Sequence, residues 1–129
     1  MVGLVVVSHS VQAATGIREI ALEMGGDVPI EAVGGTDDGR IGTTPGPIEA
    51  AIERLTADGH DVLVIADLGS AVMNAELAIE AVDVDCAVTI ADAPILEGTL
   101  NAAVTASGSG ATLESALEAA ESAGEISKL

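Results

Sequence analysis

The sequence predicts an α/β domain, a three-layer open sheet, mainly parallel, with helices on both faces. Three observations carry this reading. The chain has 129 residues, the size of one domain. Four short runs rich in β-branched residues are almost unbroken in their apolar character, as parallel strands covered on both faces are. Amphipathic segments separate them, and the resulting order βαβαβαβαα is that of a parallel sheet wound with helices. One domain takes in residues 1–129, with 122–129 as a short tail.

The first strand is Val2–Ser8. The helix after it, Val11–Met24, spaces Val11, Ala14, Ile17, Ala21 and Met24 by three or four residues, which predicts one buried stripe. Pro29–Gly34 is the second strand, since proline suits the start of a strand and not its middle. In the helix Pro45–Thr56 the stripe is Ile48, Ala51, Ile52 and Leu55, with Thr44 placed to cap it and Pro45 at the first helical position. The third strand is Asp61–Asp67. It is followed by a helix, Ser70–Ala81, that buries Val72, Ala75 and Ile79 and has Ser70 as its N-cap. A fourth strand, Cys86–Ala91, leads into helices Ile95–Thr105 and Thr112–Ser122, joined by the turn Gly108-Ser109-Gly110.

Leu, Ile and Val fill 36 of the 129 positions, and Phe, Tyr and Trp are absent. The core is therefore built from small aliphatics, and neither an aromatic base-stacking platform nor an aromatic cation cage is available. Twenty-one acids against four Lys and Arg give a formal charge of −17. Such a chain repels phosphate backbones and anionic lipid, so no nucleic acid and no membrane is expected among its partners. The acids are scattered, which suits the solubilising surface of a halophilic protein; a docking face for basic partners is the alternative. Cys86 is the single cysteine, so there is no intrachain disulfide, and its apolar surroundings predict a buried, inert thiol. The apolar stretch Val2–Val7 is short and no Lys or Arg precedes it, which predicts a cytoplasmic chain without a targeting segment.

In open α/β sheets the chemistry sits beyond the carboxyl ends of the strands. Those ends carry Ser8-His9-Ser10, the loop Gly34–Thr44, Asp67-Leu68-Gly69-Ser70 and Asp92-Ala93-Pro94, whereas His60 precedes the third strand at the opposite pole. His9 can attack phosphorus as a neutral imidazole beside the N–H groups that open a helix, or it can be a polar strand-end residue. Asp67 can orient the His9 ring or start a turn. Gly69-Ser70 and Gly42-Thr43-Thr44 suit phosphate oxygens and N-caps alike. Arg40, in the long loop, can touch a phosphoryl group or be solvated, and it is read as solvated.

Other chemistries fail on residues. The only lysine is Lys128, so no phosphate-binding P-loop exists, and neither a dinucleotide fingerprint nor a G-x-S-x-G elbow is present. Two histidines at opposite poles and one cysteine make no zinc site, so neither metal nor cofactor is expected. A receiver-like domain with Asp67 as phosphoacceptor needs an acidic pair after the first strand, where Ser8-His9 stands instead. A non-catalytic regulatory or ligand-binding module also fits the pattern.

Four motifs then come in order along the strand ends. They are Leu4-Val5-Val6-Val7-Ser8-His9-Ser10; Gly35 with Asp37-Asp38 and Ile41-Gly42-Thr43; Asp67-Leu68-Gly69-Ser70-Ala71; and Ala93-Pro94-Ile95-Leu96-Glu97-Gly98-Thr99. To about residue 122 the chain resembles the mannose-type enzyme IIA family of the phosphoenolpyruvate-dependent phosphotransferase system. Within that family it resembles the DhaM-type subunits of dihydroxyacetone kinases. The resemblance implies a homodimeric phosphohistidine carrier. His9 would accept from phospho-HPr and donate to ADP on a DhaL subunit, serving dihydroxyacetone on DhaK. Delivery to an enzyme IIB of a sugar transporter is the other option within the family. It also implies that Asp67 is the orienting carboxylate, and that Ser10, Thr43, Gly69 and Ser70 line the phosphoryl group. Some relatives continue into HPr-like and enzyme I-like domains, so a chain of this length implies a separate donor.

Overall fold

The computed structural model describes all 129 residues. Its elements are β1 (Val2–Ser8), α1 (Val11–Gly25), β2 (Ile30–Gly34), α2 (Pro45–Ala57), β3 (Asp61–Ala66), α3 (Gly69–Ala81), β4 (Val88–Ile90), α4 (Ile95–Ala106) and α5 (Leu113–Ser122), then a 3-10 turn at Ala123–Glu125. The strands form one parallel sheet in the order β2-β1-β3-β4. β1 leads to β2 on one side and β3 leads to β4 on the other. The loops after β1 and β3 therefore diverge, opening the crevice in which such sheets place their sites. The register pairs Val7 with Ala66, so His9 and Asp67 emerge side by side.

Alternation along the strands divides the core in two. Val2, Leu4, Val6, Leu63 and Ile65 pack under α1, α4 and α5. Val5, Val7, Val62 and Val64 pack under α2 and α3. Burial on both faces is why these strands read as unbroken apolar runs. Of the 28 buried hydrophobic residues, 13 are alanine, so the helices come close instead of being spaced by large side chains. At Gly25 a Cβ would lie 2.7 Å from the Ala103 Cβ, a separation of α1 and α4 that glycine alone permits. No helix is long and apolar enough to cross a membrane.

Several expectations are corrected. β2 begins at Ile30 and not Pro29, whose carbonyl nonetheless accepts from Leu4 N–H at 2.9 Å. β3 stops at Ala66, one residue short of Asp67, whose N–H still donates to the Val7 carbonyl at 3.1 Å. β4 is three residues long where six were expected. The Ala87 N–H turns to the Asp61 carboxylate and the Asp92 N–H to Glu121, while the Ala87 carbonyl and the Ala91 N–H remain bonded to β3. Val11 and Met24, at the two ends of α1, are exposed, while Ala14 and Ala21 carry its buried face. On α3 the fully buried residues are Ala71, Ala75 and Ala78, with Val72 and Ile79 only partly covered. Cys86 lies outside β4 and is only partly buried, its Sγ 3.7 Å from the Thr56 carbonyl. The tail is docked in part: Ala123 is buried and Lys128 pairs with Glu97.

Candidate active site

Asp67 organises the crevice. Its Oδ2 accepts from the Ser8 hydroxyl at 2.8 Å and the His9 backbone N–H at 3.0 Å. Its Oδ1 faces His9 Nδ1 at 2.9 Å and accepts from Leu68 N–H at 2.8 Å. A carboxylate can only accept, so Nδ1 carries the ring proton and the lone pair of the neutral imidazole is on Nε2. Ser70 Oγ lies 2.6 Å from Nε2 and must therefore donate to it. Burial pushes the Asp67 carboxyl up, but the hydrogen bonds from the His9 backbone, the His9 ring and Ser8 together hold it below the usual carboxylate range. His9 and Asp67 keep about a fifth of their side-chain surface, 20 % and 18 %, and the Nε2 contact is exposed where the Nδ1 contact is part-buried.

Backbone packing fixes this turn. At Gly34, the β2 residue paired with Ser8, a Cβ would lie 2.8 Å from backbone atoms of Ser8 and Ser10. Any side chain there would displace the segment that carries His9. Gly42 N–H donates to the His9 carbonyl at 2.9 Å, tying the long loop to the same segment. A cleft of about 310 Å³ opens beside His9, lined by Gln12, Gly35, Thr36, Gly39 and Arg40 among others.

The structure brings His9, Asp67 and Ser70 into direct contact, gives two of the hydroxyls unexpected duties and leaves a third without one. Ser70 is not the N-cap of α3. That position is Leu68, and the Ser70 hydroxyl goes to the His9 ring. Ser10 caps α1, its Oγ accepting from Ala13 N–H at 3.2 Å. Thr44 stands at the N-cap of α2 but makes no capping bond, and its Oγ1 is buried without a partner. The N–H groups of Gly69 and Ser70 open α3 and have no acceptor within the helix. Arg40 pairs with Asp38 at 2.7 Å and is 82 % exposed, so it is solvated as expected. His60 lies at the far pole with Nδ1 buried and unpartnered.

Two residues of the site were missed by sequence reasoning. Ser8 shares a sheet face with Asp67, which a polar residue closing an apolar strand could have signalled. Asn74 donates to both the carbonyl and the hydroxyl of Thr43. Its signal was an asparagine in mid-helix, one turn after Ser70, where its propensity is poor.

The arrangement holds one ring nitrogen on a carboxylate and leaves the other, with its lone pair, on the hydroxyl of Ser70 next to the opening turn of α3. Residues 3–117 match the family model described as PTS system fructose IIA component. The chain is 42 % identical over 107 residues to phosphoryl donor subunit DhaM of PEP-dependent dihydroxyacetone kinase 2 from Listeria innocua, covering 81 % of this chain and 85 % of that one. It is 37 % identical over 119 residues to phosphotransferase subunit DhaM of the PTS-dependent dihydroxyacetone kinase from Lactococcus lactis, covering 92 % and 93 %. A crystal structure of a protein of unknown function superposes with a TM-score of 0.82 at 35 % identity, covering 94 % of both chains.

Proposed function

The chain belongs to the mannose- and fructose-type enzyme IIA family of the phosphotransferase system, and on that premise we propose that it is the phosphohistidine carrier of a dihydroxyacetone kinase. His9 Nε2 takes the phosphoryl group from phospho-HPr and passes it to ADP on DhaL, and the ATP so formed phosphorylates dihydroxyacetone on DhaK. The observation that carries this is the locked ring, with Nδ1–H on Asp67 and the Nε2 lone pair on the Ser70 hydroxyl at the exposed side of the ring. In the first step the lone pair attacks phosphorus and the P–N bond to the donor ring breaks as the new one forms. Ser70, released from Nε2, can turn its hydroxyl to a phosphoryl oxygen, joined by Ser10, Thr43 and the opening N–H groups of α3 at Gly69 and Ser70. Asp67 offsets the positive charge of the phosphorylated ring. In the second step a terminal ADP oxygen displaces Nε2 and the neutral ring returns. Weak donors in place of a cation cluster suit a group that must be released again.

The test is a coupled one. Protein incubated with phosphoenolpyruvate, enzyme I and HPr is expected to gain one acid-labile phosphoryl group, then yield dihydroxyacetone phosphate once DhaL, ADP, DhaK and dihydroxyacetone are added. A phosphoprotein that yields none would move the acceptor to a sugar-transport enzyme IIB. The reading also includes a cytoplasmic homodimer. Met73 and Leu77, exposed one turn apart on α3, offer an apolar surface to a second copy.

The acidic surface belongs to the same reading. Asp38, Glu31 and Glu97 pair with Arg40, Arg54 and Lys128, and most other carboxylates face solvent without a cation. Salt shortens the reach of their repulsion from about 10 Å at 0.1 M to about 3 Å at 1 M. Melting temperature is therefore expected to rise by several degrees from dilute buffer to molar KCl. A flat or falling response removes the halophilic interpretation.

A further inference from the structure

The loop between β2 and α2 comes back to the site and is clamped there. Thr36 N–H donates to the Arg40 carbonyl and Gly39 N–H to the Thr36 carbonyl, both at 2.9 Å, which closes its tip. Gly42 is bonded to the His9 carbonyl, so Thr43 is the next residue along from a contact with His9 itself. Asn74 holds Thr43 from α3, its Nδ2 lying 3.2 Å from the Thr43 carbonyl and 2.6 Å from Thr43 Oγ1. Asn74 follows Ser70 by four residues, so the two side chains share one helix face. One face of α3 thus touches both the His9 ring and the loop.

The polarity of this clamp follows from its chemistry. A backbone carbonyl can only accept, so the amide nitrogen of Asn74, and not its oxygen, must face Thr43. The hydroxyl beside that carbonyl then receives a hydrogen bond from the same nitrogen. Its own proton is left with no partner on Asn74 and is free to be donated elsewhere. Asp67 imposes the same logic on Ser70 through the tautomer of His9. In this way the two hydroxyls flanking the site are both set as donors.

We propose that Asn74 is a positioning residue for phosphoryl transfer, acting through Thr43. It holds the Thr43 hydroxyl as a donor toward the phosphoryl group on His9 Nε2. The proposal rests on the carrier reading above. An aspartate at position 74 would keep the shape and reverse the polarity, repelling the Thr43 carbonyl and capturing the hydroxyl proton for itself.

The test is a double-mutant cycle on single-turnover phosphorylation by phospho-HPr, with Asn74→Asp, Thr43→Val and the pair. Asn74→Asp is expected to slow transfer at saturating donor by about 10- to 100-fold, the range typical of outer-shell partners. The half-saturating donor concentration should stay near wild type while the rate at saturation falls, a split that a merely structural role would not produce. Thr43→Val should match that loss, and the double variant should be no slower than either. Wild-type rates in either single variant overturn the proposal, as do losses that multiply in the pair, because Asn74 would then act by another route. Should Asn74→Asp fail to fold, Thr43→Val still decides whether the hydroxyl matters at all. If wild-type protein takes no phosphoryl group from a competent donor, the carrier reading has failed and the role of Asn74 falls with it.

Discussion

The His9→Ala protein is expected to take up no phosphoryl group from phosphoenolpyruvate, enzyme I and HPr, while wild type and His60→Ala each gain one. Intact mass after incubation at high salt reads all three. The loss should be complete because no second acceptor is built into the crevice. Both carboxylate oxygens of Asp67 are committed: Oδ1 to the His9 ring and Leu68 N–H, Oδ2 to Ser8 and the residue-9 N–H. Removing the imidazole leaves three of those four bonds in place, so the fold and the carboxylate survive together. His60 offers nothing in exchange, since it precedes β3 at the other end of the sheet and its Nδ1 is buried. A phosphoryl group on His9→Ala that is lost in alkali, where phosphohistidine survives, and is cleaved by hydroxylamine would be an acyl phosphate on Asp67. That outcome would return the receiver-like alternative.

Much of this site was legible along the chain, and what was not has a physical reason. Strands covered on both faces announce themselves as apolar runs, and their ends place His9, Asp67 and Ser70 at one pole. The order of the four strand-end motifs pointed to the family. The tasks of individual hydroxyls were not legible. A serine just before a helix reads as an N-cap, and Ser10 is one, yet Ser70 sits one residue inside α3 and serves the His9 ring. Local sequence cannot separate the two because the difference is made by a partner 61 residues away. Asn74 was lost for the same reason, its partner Thr43 lying 31 residues earlier. The apolar ends of α1 misled in the opposite direction. Periodicity places Val11 and Met24 on the buried stripe but does not say where the cover of the sheet stops.

Replacing Asp67 by asparagine is expected to slow phosphoryl acceptance roughly a hundredfold to ten-thousandfold, the span from outer-shell ligands to orienting carboxylates of catalytic histidines. Asp67 accepts four hydrogen bonds, two on each oxygen, and an amide has only one accepting end. With its NH2 toward the ring, the amide donates to Nδ1. The ring proton then moves to Nε2, which loses the lone pair that attacks phosphorus, and Leu68 N–H is left facing a donor. With the amide reversed the tautomer survives, but the NH2 confronts the His9 backbone N–H and disturbs the segment that aims the ring. The second arrangement strands the part-buried His9 N–H, which costs about 1–3 kcal/mol of stability, and the first strands the more exposed Leu68 N–H at a smaller cost. That cost carries a pH signature. The Asp67 carboxyl is held below the usual value of about 3.9, so its contribution is full above that pH and is lost as pH falls through its folded value. The melting-temperature gap between wild type and Asp67→Asn should therefore be widest near neutrality and narrow below about pH 4. Nitrogen NMR of the His9 ring separates the two halves of the argument: an Asp67→Asn ring that keeps its proton on Nδ1 and still transfers slowly assigns the loss to aim and charge, whereas a proton on Nε2 assigns it to the tautomer. Wild-type transfer by Asp67→Asn would mean that the carboxylate only builds the turn.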